Sequence, residues 1–78
     1  MKEHIYVSIR QALERAPRNQ YMAELHIQMI KYADELQDIT AREFCESVSL
    51  KFSYGTEFSK MRNIVNRLKL AGLDVRKL

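Results

Sequence analysis

Turn-forming residues are scarce in this chain: its 78 residues include two glycines and one proline. An all-β fold needs a turn signal every 8–12 residues, so the chain is restricted to helices joined by a few short connections. Its apolar and charged fractions, 46% and 29%, are those of an ordinary folded globule, and the length allows one small domain over residues 1–78 without a second core. No apolar run approaches the roughly 20 residues that cross a bilayer, and Met1-Lys2-Glu3-His4 opens no secretion signal. A lone cysteine builds no internal disulfide, which points to a reducing compartment. The expected setting is therefore cytoplasmic, with no membrane partner.

Apolar periodicity divides the chain into four helices, over about residues 3–16, 19–37, 41–50 and 56–71. Ile5, Ile9, Ala12, Leu13 and Ala16 recur at the three- and four-residue steps that stack side chains on one helical face, and Pro17 stops that run. Met22, Leu25, Met29, Ala33 and Leu36 repeat the pattern, with Asn19 as the expected cap. Thr40-Ala41-Arg42-Glu43 has the capping-box spacing, in which the threonine oxygen accepts the third helical N–H and the glutamate reaches back to the threonine amide. Ala41, Phe44, Cys45 and Val48 form the apolar side of that third helix. Gly55 punctuates the next connection, Thr56 is the expected cap, and Phe58, Met61, Val65, Leu68 and Gly72 share one side of the fourth helix. Gly72 is expected to close it in the left-handed conformation, with Leu73 packing back. Residues 73–78 read as a short extended tail or a fraying end. By helical phase Leu70 projects away from the core. The predicted fold is all-α, a compact four-helix domain.

Charge is distributed unevenly. Residues 1–50 carry six basic and eight acidic side chains, with Arg42 alone among Asp34, Glu35, Asp38, Glu43 and Glu46, whereas residues 51–78 carry seven basic and two acidic ones. A polyanion would be drawn to the C-terminal third.

Ile39 to Leu50 resembles the first helix and turn of bacterial and phage helix-turn-helix DNA-binding proteins. In that family a capped Thr-x-x-Glu is followed by an apolar residue, a small residue, two variable positions, an apolar residue, a turn glycine and a further apolar residue. Phe44, Cys45, Val48, Ser49 and Leu50 stand there in this chain, Ser49 in place of the glycine. Cys45 is small enough to let the following helix approach. The resemblance extends over about residues 39–68, with the downstream apolar positions at Phe58 and Met61. It implies a helix-turn-helix whose turn is about three residues longer than usual, with the fourth helix in the recognition position.

The phase of that helix sets which side chains it exposes. With Phe58, Met61, Val65 and Leu68 inward, the opposite face presents Thr56, Ser59, Asn63 and Asn66, flanked by Arg62 and Arg67 with Lys60 at the side. Asparagine bonds bidentately to adenine, short hydroxyl side chains permit close approach, and arginine reaches guanine or phosphate. No acidic residue lies between Phe58 and Leu73. Lys51, Tyr54, Arg76 and Lys77 are further candidates for phosphate contact.

Other chemistry has little support. Cys45 on an apolar face reads as an inert buried thiol, and His4 and His26 lack any zinc-ligand spacing. No phosphate loop, nucleophile elbow or paired-carboxylate cleft occurs. The expectation is a non-enzymatic protein without metal or cofactor, binding double-stranded DNA as a small transcriptional regulator. A homodimer is expected because a core this small gives little net stability. The competing reading is a helical protein-interaction module, an adaptor or inhibitor, docking a protein partner through an apolar groove or the acidic middle.

Overall fold

Residues 2–78 are described by the computed structural model. Pro17 sets the first boundary: the residue before a proline is driven out of the helical region, and Ala16 is extended, with ψ 137°. Helix α1 runs Glu3–Arg15, and α2 (Tyr21–Lys31) follows a 3-10 turn at Arg18–Gln20. Helix α3 is Ala41–Val48 and α4 is Gly55–Leu70, with a second 3-10 turn at Phe52–Tyr54 between them. A third, at Val75–Lys77, lies against α2 and replaces the extended or fraying tail expected there. No strand occurs among the described residues, so the class is all-α, and α3, turn and α4 form the helix-turn-helix with its lengthened turn.

Four expectations are corrected. Asn19 caps nothing; it lies inside the first 3-10 turn, and α2 begins two residues later than predicted. The second helix ends at Lys31 rather than near residue 37, because Tyr32 leaves helical geometry at φ −106° and ψ 13°. Successive turns from Tyr32 to Ile39 then keep Ala33, Leu36 and Ile39 buried. Thr56 is not a cap, since the 3-10 turn runs directly into α4 and puts Thr56 in its first turn. Met22, expected inside, is 38% exposed, and Tyr21 packs on the core in its place.

The core gathers the predicted apolar faces. Ile5, Ile9 and Leu13 of α1, Leu25 and Met29 of α2, Phe44, Cys45 and Val48 of α3, and Phe58 of α4 form one buried cluster with Leu36 and Ile39. The Phe44 and Phe58 rings stack at 4.3 Å between centroids, 15° from parallel. Such a pair adds about 0.5–1.5 kcal/mol beyond area burial, and it joins the two helices of the helix-turn-helix. Burial pushes the Cys45 thiol above its ordinary pKa, consistent with an inert core residue.

Candidate nucleic-acid interface

The interface rests on α3, whose ends are both fixed locally. At its start Glu43 N–H donates to Thr40 Oγ1 at 3.0 Å and Thr40 N–H donates to Glu43 Oε1 at 3.2 Å, the reciprocal box read from the sequence. At its end Ser49 takes the left-handed conformation, φ 63° and ψ 44°. The Leu50 amide then donates to the Cys45 carbonyl at 2.8 Å, and the Ser49 amide to that of Glu46 at 3.4 Å. These are the two bonds of a Schellman closure, completed here by a serine where glycine is usual.

Glycine is used instead at the entry to α4. Gly55 has ordinary right-handed geometry, but a Cβ placed on it would lie 3.3 Å from Ala41 Cβ. The missing side chain lets the first turns of α3 and α4 meet. This close approach falls at Ala41 and Gly55, whereas Cys45, to which the sequence assigned it, is buried in the core. Gly72 closes the far end of α4 as expected. It has φ 112°, with Gly72 N–H bonded to Lys69 O and Leu73 N–H to Leu68 O, both at 3.0 Å.

Between these ends α4 presents Thr56, Ser59, Lys60, Asn63, Asn66 and Arg67 to solvent. Leu70 continues the stripe at 90% exposure. Glu57, the helix's one acidic residue, is held away from the stripe: it accepts from His26 Nε2 at 2.8 Å, and Lys60 Nζ lies 3.4 Å from its other oxygen. The His26 hydrogen bond foremost, with the Lys60 charge, holds the Glu57 carboxyl below the usual carboxylate range. An uncharged polar centre with Lys60 and Arg67 beside it is the result.

Arg62 departs from its expected place at the edge of this face. Its Nη1 donates to the carbonyls of Leu36, at 3.0 Å, and Ile39, at 2.8 Å, and its guanidinium lies 4.6 Å over the Phe58 ring. Those carbonyls end the irregular segment after α2, so Arg62 supplies the partners that such backbone needs when drawn into a fold. Tyr54 is half-buried against the core, not free on the surface. Tyr21 is its neighbour, and burial first, then Tyr54, raises the Tyr21 hydroxyl pKa. Lys51 and Lys77 are exposed, while Arg76 is bound to Asp74 through two hydrogen bonds of 3.1 Å from its side chain. Lys69 is paired with Asp34.

The sequence did not single out Arg42 and Phe52 as a site. The Arg42 guanidinium lies 4.9 Å over the Phe52 ring, which is 56% exposed on the turn between α3 and α4. The clue available was an aromatic residue beside Lys51 with no place in the apolar periodicity.

No helix among the described residues is long and apolar enough to cross a membrane. A family model described as an HTH-like domain matches residues 1–71. No curated protein and no solved structure matches the chain.

Proposed function

Since the chain belongs to the HTH-like domain family, we propose that it binds double-stranded DNA, as a transcriptional regulator, by inserting α4 into the major groove. The observation that carries this reading is the exposed stripe Thr56, Ser59, Asn63 and Asn66 with Lys60 and Arg67 along it. A helix is about 10–12 Å across with its side chains, which the roughly 12 Å width of the major groove admits. Thr56 and Ser59 allow the backbone to approach, Asn63 and Asn66 pair with base edges, and Arg67 reaches guanine or phosphate. Lys51 and Lys60 contribute phosphate contacts that add affinity without sequence preference. Arg62 is left out of the contact set, because its guanidinium is engaged within the fold. A homodimer would present two copies of α4 to half-sites about 34–36 Å apart.

The test is binding to a duplex selected from a random pool, measured across salt concentrations, with Asn63→Ala/Arg67→Ala compared to the wild type. Wild-type affinity should fall with salt at a slope of about 0.9 per phosphate contacted. The folded double variant should lose at least about tenfold, since each good base contact is worth about 1–3 kcal/mol. Full affinity in that variant would reject α4 as the reading helix.

A protein-docking role is favoured by a different observation. Met22 and Ile27 on α2 and Ile64 on α4 are exposed, and the two helices pack against each other. This reading predicts a defined protein partner lost in Ile27→Asp or Ile64→Asp, with only weak, sequence-blind affinity for DNA.

A further inference from the structure

We infer that Arg42 is a phosphate anchor for the DNA backbone, held in position by Phe52; the inference rests on the DNA-binding reading above and adds a contact from α3. Arg42 is exposed on the first turn of α3, and its guanidinium lies 4.9 Å over the Phe52 ring. Three carboxylates are near in sequence, yet none neutralises it, and Asp38 is paired with Lys2. Glu43 is engaged in the capping box, and among the described residues Arg42 forms no ion pair with Glu46, one helical turn further on. An i, i+4 pair on a helix surface is the ordinary partner for an arginine; here the cation is carried over to the turn instead.

The direction of that displacement matters. Phe52 lies one turn ahead of Thr56, and the contact between Ala41 and Gly55 brings the starts of α3 and α4 together. Arg42 therefore stands at the N-terminal end of the stripe proposed to enter the groove, on the side of Lys51. The ring takes up none of the guanidinium's N–H donors, and among the described residues Arg42 makes no hydrogen bond or ion pair, so those donors remain to meet two phosphate oxygens at once. A long side chain held against a ring also loses less rotamer freedom on binding than one waving in solvent. Phe52 is thus a positioning residue, and its exposure is explained by the cation it carries.

The experiment uses the full chain and a random-sequence duplex pool, so that no operator need be known, and reads both affinity and its salt slope. Arg42→Gln should weaken binding about five- to tenfold for all sequences alike and make the slope shallower by about 0.9. Phe52→Ala should weaken binding about threefold, Phe52→Tyr should restore it, and the double variant should bind no more weakly than Arg42→Gln alone. Thermal melts show whether each variant is folded; both side chains are exposed, so the melting temperatures should match the wild type. Unchanged affinity and slope in folded Arg42→Gln would overturn the anchor, and losses that multiply in the double variant would overturn the positioning role. If the wild type binds the pool and Asn63→Ala/Arg67→Ala weakens it while Arg42→Gln does not, only this inference falls. If the wild type does not bind duplex DNA at all, the functional reading falls with it.

Discussion

Arg62 donates to the Ile39 carbonyl at 2.8 Å across 23 positions of sequence, and the same nitrogen reaches Leu36 O. Hydrogen bonds from charged donors contribute about 1.5–3 kcal/mol when removal leaves the acceptor unpaired. Arg62→Ala should therefore destabilise the fold by about 2 kcal/mol, lowering the melting temperature by about 8–16 °C for a domain of this size. Arg62→Lys should recover part of the loss, keeping the charge but not the flat group over Phe58. Urea denaturation checks both; an unchanged midpoint in Arg62→Ala would return this side chain to the set of free surface cations.

Ser49 occupies a backbone conformation that costs an L-residue about 1–2 kcal/mol and glycine little. Against this, glycine gives the unfolded chain more freedom. Ser49→Gly should stabilise the protein by about 1 kcal/mol, and Ser49→Val, β-branched at the same φ, should destabilise it. Chemical melts of the two variants should move in opposite directions.

Gly55 is needed for space and not for its dihedral angles. Gly55→Ala should be close to neutral, since the roughly 0.5–1 kcal/mol gained by removing a helical glycine is offset by crowding Ala41, whose Cβ is fixed to the α3 backbone. Gly55→Leu should cost about 1–3 kcal/mol, partly recovered by Ala41→Gly. A double-mutant cycle on the denaturation midpoints measures that recovery.

Glu57 gives stability an acid-side dependence. Its pKa is lower folded than unfolded, so the ionised carboxylate favours the native state. That contribution is complete above the usual carboxylate range and is lost as pH falls through the depressed folded value. Glu57→Gln should melt below the wild type at neutral pH, and the gap should close in strong acid. Asp38 and Asp74 are likewise lowered, by Lys2 and Arg76 respectively, but they are present in both proteins and cancel in the difference. A gap that stayed constant through the acid range would show that the His26–Glu57 contact is not what the substitution removes.

What could be read from the sequence was what neighbouring residues decide among themselves. The capping box of Thr40 and Glu43 and the closure at Gly72 each lie within a few positions, and the exposed stripe of α4 follows from helical phase around Phe58 and Val65. Periodicity misplaced the end of α2 because Ala33 and Leu36 stay buried through a run of turns after the helix stops; burial spacing outlasts the hydrogen bonds that define a helix. Arg62 was placed on the surface because its partners lie 23 and 26 residues away, beyond any local pattern. The Arg42–Phe52 contact is equally outside helical periodicity, because it lies across the turn between α3 and α4.

Cys45, fully buried in the core, is the one thiol of the chain. A thiol-specific reagent can reach it only when the interior parts, so the rate of labelling is a clock for opening events in an otherwise unmodified molecule. Reaction limited by the reagent concentration would count the fraction open, and reaction independent of it would time the opening itself.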